Sequence, residues 1–169
     1  MTKRRRNLWI ISDTHFFHEN ILEYAKRPFK NVREMNEYIV DAWRSRVEPG
    51  DLVYHLGDVT FHYGEDFRKL WSSLPGRKRL VLGNHDDAEK LRRNFSKIME
   101  SRQLPDEGAV MTHRPIVMHK EHPKWLWNIH GHIHEKDLGS PMHFNASVER
   151  IGFKPLLIED ILKKNGRGK

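Results

Sequence analysis

Five times along this chain a short apolar run ends abruptly at a group of Asp, Asn or His residues. "LWII" (8–11) is followed by Ser12-Asp13-Thr14-His15, "DLVYHL" (51–56) by Gly57-Asp58, and "RLVL" (79–82) by Gly83-Asn84-His85-Asp86. "AVMT" (109–112) leads to His113, and "LWNI" (126–129) to His130-Gly131-His132-Ile133-His134. Apolar runs this short read as strands. The stretches between them read as helices: "NILEYAKR" stopping at Pro28, "NVREMNEYIVDAWRSRV" with Met35, Ile39 and Trp43 four apart, "EDFRKLWSSL" and "DAEKLRRNF". Strands alternating with helices predict a layered α/β fold, largely parallel at first. "HFNASVE" (143–149) and "KPLLIE" (154–159) add two strand candidates that complete a sheet or an interface, and a short helix follows. Ligands of open α/β sheets bind beyond the carboxyl ends of the strands. Five strand ends carrying Asp, Asn and His therefore point to one polar edge.

The length of 169 residues fits one domain spanning 1–169, and a domain of that size buries roughly 70% of its unfolded surface. No segment approaches the roughly 20 apolar residues of a membrane span. The start, "MTKRRRNLWIISD", is basic, but its apolar run is too short for a signal peptide and reads as a tail entering the first strand. With no cysteine, disulfides are excluded, and a cytoplasmic location is expected. The net charge of +7 resembles a nucleic-acid signal until it is located. Residues 1–6 and 163–169 carry four Lys/Arg each and no acid, which leaves 7–162 with 22 basic and 23 acidic residues. The excess sits on the tails, where it adds nonspecific attraction to polyanions.

Carboxylate and amide oxygens together with imidazoles suit Mn²⁺, Fe, Zn²⁺ or Mg²⁺, and the absence of cysteine excludes thiolate sites. The ligand candidates are Asp13, His15, Asp58, Asn84, His113, His132 and His134. One tetrahedral zinc takes about four protein ligands, so this set is too large for one ion and fits two divalent cations if a carboxylate bridges. Paired metals about 3.5–4 Å apart clamp the attacking and departing oxygens of an in-line displacement. Phosphate esters are the matching substrates.

The ordered series D-x-H, G-D, G-N-H-D, a lone His and G-H-x-H resembles the calcineurin-like metallophosphoesterases. The match runs from Leu8 to about Glu159, and "SDTHFFHENI" is similar to the compact bacterial and phage members. The resemblance implies a four-layer α/β/β/α sandwich, two mixed sheets flanked by helices, with the metals at the strand ends. It implies that Asp13, His15 and His134 hold one metal, that Asn84, His113 and His132 hold the other, and that Asp58 bridges them. It also implies that a metal-bridging hydroxide attacks phosphorus while His85 gives a proton to the leaving group. The family's protein phosphatases continue from G-D to D-R-G. Here the chain reads Gly57-Asp58-Val59-Thr60, which argues against that activity and leaves Asp86 as the candidate to orient His85.

His18 and Arg114 are candidate substrate-phosphate contacts, Arg114 because it directly follows His113. His130 reads as a packed residue beside the ligands, and His55, His62, His119 and His122 as ordinary histidines. Trp125 and Trp127 read as core, and Gly83 and Gly131 as tight turns that bring backbone close to metal. The leading expectation is a Mn²⁺-dependent phosphodiesterase. The alternatives are a nuclease or nucleic-acid repair enzyme using the same site, and a scaffold that kept the fold without activity. The expected partner is a phosphate ester, with nucleotides and nucleic acids among the options.

Overall fold

The computed structural model describes residues 6–119 and 127–164. The residues before 6 and after 164, Leu126, Trp125 and His122 lie outside the described residues. In chain order the elements of the first half are β1 (Leu8–Ile11), α1 (Ile21–Tyr24), α2 (Val32–Arg44), β2 (Leu52–His55), α3 (Glu65–Ser72), β3 (Arg77–Val81) and α4 (Ala88–Leu91). There follow β4 (Ile98–Met99), β5 (Ser101–Leu104), β6 (Ala109–Thr112), β7 (Trp127–His130), β8 (His143–Asn145), α5 (Val148–Ile151), β9 (Leu156–Leu157) and α6 (Ile158–Lys164).

The strands form two mixed sheets, ordered β4-β3-β2-β1-β9 and β5-β6-β7-β8. Strands β1 to β4 run parallel and β9 joins β1 antiparallel. In the second sheet β6, β7 and β8 run parallel and β5 is antiparallel to β6. Helices flank the sheets, as the α/β sandwich reading expected. The parallel runs β1-β2-β3 and β6-β7 present their carboxyl ends together, and those ends carry the polar motifs. No helix among the described residues is long and apolar enough to cross a membrane.

Local sequence explains the principal helix. Asn31 caps α2 by accepting the Glu34 N–H, and Glu34 Oε2 in turn accepts the Lys30 N–H at 2.7 Å. Met35, Ile39 and Trp43 recur every four residues and are fully buried. Trp71 of α3 meets Trp43 edge-on at 5.7 Å and lies 6.1 Å from His55 of β2. This aromatic contact seats the helical layer on the first sheet.

Strands β1 and β6 have the boundaries read from the sequence. The tail differs. "HFNASVE" pairs only over His143–Asn145, because α5 begins at Val148 and ends at Gly152, whose φ of 73° stops the helix. "KPLLIE" pairs only at Leu156–Leu157 before α6 starts. Both strands complete sheet edges. Strand β4 is two residues long, and β5 reads "SRQL" with three exposed positions. An edge strand facing water needs no apolar run, so neither left a periodic signal.

Trp71→Ala should lower unfolding free energy by about 3–5 kcal/mol, the usual cost of deleting a large buried aromatic. Urea unfolding monitored by circular dichroism measures it; a loss below about 1 kcal/mol would mean that Trp71 does not anchor the helical layer.

Candidate metal centre

The loops after β1 and β2 are laced together by backbone hydrogen bonds. Asp13 N–H donates to Gly57 O at 3.0 Å, His15 N–H to Asp58 O at 3.1 Å and Phe16 N–H to Val59 O at 2.9 Å. The second sheet is tied to this pair. Gly131 N–H donates to His113 O at 2.9 Å, and His113 Nδ1–H donates to Leu56 O at 2.7 Å. His132 N–H and Ser147 Oγ–H both donate to Asp13 Oδ2, each at 3.0 Å. Four of the five strand-end motifs therefore meet at one place, and the Asp86 carboxylate, which accepts the Asp58 N–H, brings in the fifth.

This convergence bends the backbone into left-handed conformations. Asp13, His15, Asp58, His132 and His134 have φ of 57°, 47°, 56°, 71° and 50°. Each non-glycine residue held there costs on the order of 1–3 kcal/mol, and such strain collects at functional sites. Gly83 and Gly131 are needed for space rather than for an unusual φ. A Cβ on Gly131 would strike Ser12 and the Asp13 carboxylate, and one on Gly83 would strike Asp58.

Two groups of donor atoms result. Asp13, His15 and His134 form one and Asp58, His113 and His132 the other, with the donor atoms of each within 4.8 Å of one another. Asn84 Oδ1 adds to the second group, 3.0 Å from His113 Nε2. Asp58 Oδ2 lies 3.7 Å from His15 Nε2 and 3.4 Å from His113 Nε2, between the groups. The imidazoles are prepared for cations. His113 Nδ1 spends its proton on Leu56, and His134 Nδ1–H donates to Glu149 Oε1 at 3.0 Å, leaving each Nε2 lone pair for a metal. His15 is 2% exposed, yet neither ring nitrogen has a hydrogen-bond partner. A buried imidazole with two unmet nitrogens fits a metal ligand better than a packing residue.

The electrostatics agree. Burial opposes the charge on Asp58, but hydrogen bonding and attraction from His113, the His85 N–H and His15 hold its carboxyl well below the usual range. Burial raises Asp13, despite attraction from His113 and His134. Burial, helped by Arg27, pushes His15 well below the usual histidine range, so its ring is neutral and free to ligate. Two buried carboxylates side by side favour cations between them.

The other sequence candidates surround this centre. His85 is exposed at the mouth; its N–H donates to Asp58 Oδ1 at 3.0 Å and its ring lies 6.2 Å from that of His15. The Asp86 carboxylate accepts the N–H groups of Asp58 and Val59, both at 2.9 Å, and of Gly83 at 2.8 Å. Its hydrogen bonds thus clamp the loops after β2 and β3 together. His18 lies 5.5 Å from the His15 ring. Arg114 is exposed, and its charge lowers the pKa of His132 after burial and His113 have done so. With Asn84, Glu100, His113 and Ile116 it lines a cleft of about 360 Å³. A larger groove of about 570 Å³ lies along α2, away from the donor atoms. His130 is buried against His143, and Trp127 is buried with its Nε1–H on Glu107 O at 3.0 Å.

Three residues of the centre's support were not singled out from the sequence as such. Arg27, 5% exposed, donates from NH2 to Asp13 O at 2.7 Å and from NH1 to Thr14 O at 2.9 Å. It also pairs with Glu149 at 2.7 Å, and Glu149 holds His134. A buried charged relay thus braces the β1 loop and the last histidine at once. His55, read as an ordinary histidine, takes the Gly57 N–H on Nδ1 at 3.2 Å, so its Nε2–H donates to Thr14 Oγ1 at 2.9 Å. Thr14 passes the bond to Val59 O at 2.9 Å. The sequence offered one usable hint, a charged residue placed against Pro28 where a helix must stop.

Comparison with known proteins agrees with this geometry. A family model described as calcineurin-like phosphoesterase matches residues 6–166. An uncharacterized protein of Methanocaldococcus jannaschii is 35% identical, over 97% of this chain and 94% of its own. The Gene 66 protein of Mycobacterium phage L5 is 28% identical, over 85% of this chain and 83% of its own. The crystal structure of a protein of unknown function from Aquifex aeolicus superposes with a TM-score of 0.80 at 30% identity, covering 95% of this chain and all of the other.

Burial holds His55 down to about 3, against the pull of Asp58. The unfolded chain takes up this proton below about pH 6.5 and the native protein does not until about pH 3, so stability falls with pH across that window. The loss should reach roughly 4 kcal/mol. Urea midpoints of wild type and His55→Gln between pH 7 and 3 test this: the variant should show a shallower acid slope, and parallel slopes would show that His55 is not the buried neutral group described.

Proposed function

The chain belongs to the calcineurin-like phosphoesterases, and from that premise we propose that it is a Mn²⁺-dependent phosphodiesterase in which His85 protonates the departing oxygen. Metal-dependent phosphoester chemistry follows from the family and the two Asp/His groups. The observation that carries a two-cation site is the position of Asp58 Oδ2, within 4 Å of a histidine nitrogen from each group.

In this reading Asp13, His15 and His134 hold one cation, Asn84, His113 and His132 hold the other, and Asp58 is shared. When bound, the cations offset the charge of the phosphate oxygens and lower the pKa of water. The protein's own part is placement. Arg27 and Glu149 fix the β1 loop and His134, while Asp86 fixes the loops that carry Asp58 and Asn84. His85 is tethered to Asp58 through its backbone and keeps its ring at the open mouth, where an alkoxide leaving group needs a proton. Asp86 supports His85 through the loop rather than through the ring. Arg114 stands where its guanidinium pairs with a phosphate oxygen, and His18 borders the opposite side.

The lean to diesters rests on that proton: a departing alkoxide gains more from an acid than a better leaving group does. The absence of a D-R-G sequence after Asp58 sets the chain apart from protein phosphatases. The exposed mouth and the basic ends favour nucleic acid as the second reading, which a gel assay on labelled single- and double-stranded substrates separates from small-ester chemistry.

With Mn²⁺ the protein should hydrolyse bis-p-nitrophenyl phosphate, faster than p-nitrophenyl phosphate, and lose activity in a chelator; inactivity on both esters with two Mn²⁺ bound would end the catalytic reading. His85→Asn should lower kcat about 10²- to 10⁴-fold with both metals retained. Asp58→Asn should weaken both cations by more than the roughly 10–100-fold that losing an outer partner costs. Metal content by mass spectrometry decides both cases: loss of metal from His85→Asn would make His85 a ligand, and normal occupancy in Asp58→Asn would remove the bridge.

A further inference from the structure

Two aromatic rings beside the metal centre, Phe61 and Tyr24, are used by none of the chemistry above. Phe61 is 43% exposed although its loop is firmly tied. Its N–H donates to Phe16 O at 3.3 Å, and Thr60 Oγ1–H donates to the same carbonyl at 2.9 Å. His18 stacks on Phe61 with centroids 4.0 Å apart and planes within 20°. The His85 ring lies 5.1 Å from Phe61 and the His15 ring 5.6 Å. Tyr24, 72% exposed, stands 6.3 Å from His18. His18 Nδ1 is buried and has no hydrogen-bond partner.

A large apolar ring in water is unremarkable when it stands alone. Here it is pinned by backbone bonds, backed by a second ring and placed against a proposed metal ligand and the proposed acid. We propose that Phe61, backed by His18 and flanked by Tyr24, is a stacking platform for the base of a nucleotide whose phosphate occupies the metal centre. The substrate class is then nucleoside phosphate esters. This inference rests on the phosphoesterase reading and adds the identity of the ester's organic part. The adjacency of Phe61 to His15 sets the order of groups: phosphate at the cations, sugar across the step, base over the ring. An aromatic face favours a planar partner in offset stacking, and it accepts every base because each has a π-face.

Calorimetry on the Mn²⁺-loaded protein tests this with phosphonate analogues of AMP and of ribose 5-phosphate, which are not turned over. The adenine should tighten binding about tenfold. Phe61→Ala should remove that gain and leave the sugar phosphonate unchanged, while Phe61→Trp should preserve it; the exposure of Phe61 makes both variants compatible with folding. Equal affinities in the wild type, or equal weakening of both ligands in Phe61→Ala, would overturn the platform while leaving phosphoester binding intact. Failure of both analogues to bind the metal-loaded protein would overturn the phosphoesterase reading and the platform with it.

Discussion

The Asp13 carboxylate is the point on which the two sheets turn. It is fully buried, and it receives the His132 N–H from the loop after β7 and the Ser147 hydroxyl from the segment before α5. Its own backbone receives Arg27 on one side and donates to Gly57 on the other. A buried carboxylate without partners costs several kcal/mol, so the fold must bring donors from distant parts of the chain to this spot. Doing so closes the first sheet on the second at the ends where the strands are already parallel. The packing of the sandwich and the gathering of donor atoms are thus one event.

Strain is the other half of that constraint. In both the Asp13-Thr14-His15 stretch and the His132-Ile133-His134 stretch, the first and third residues are left-handed. Asp13 and His15 belong to one donor group, whereas His134 joins theirs and His132 the other, and the residue between each pair lies outside both groups. Thr14 shows what that middle position can do: it carries the hydrogen bond from His55 to Val59. The conformations are held because neighbouring backbone groups are already committed, as Asp86 commits three N–H groups around Asp58. Replacing Gly83 or Gly131 adds a clash with a carboxylate rather than a loss of conformational freedom.

What the sequence made legible follows from this division. The buried strands show because their apolar runs are continuous and end in unlike chemistry; β1 and β6 match residue for residue. The residues gathered into the two donor groups show because each belongs to a motif that follows such a run. Edge strand β5 does not show, because three of its four side chains face water and carry no period. Arg27 and Glu149 do not show for a different reason. They lie 122 residues apart and neither belongs to a polar motif at a strand end, so their meaning exists only once folding joins them over the backbone of Asp13 and Thr14. His55 looked ordinary because the side chain its ring reaches, that of Thr14, is again distant in sequence.

The two donor groups are unequal, and the inequality has a physical source. The group around His15 has Asp13 to itself and shares Asp58, and its histidines are buried or braced through Glu149 and Arg27. Glu149 offsets part of the charge of Arg27, which still acts on His15 and His134 in the direction of a lower pKa. The group around His113 shares the same Asp58 but adds only the neutral oxygen of Asn84, which is exposed. Hard divalent cations follow carboxylate charge and rigidity of the ligand cage. The position around His15 therefore has the more carboxylate charge and the less exposure, while the one around His113 lies open beside Arg114 and the cleft it lines.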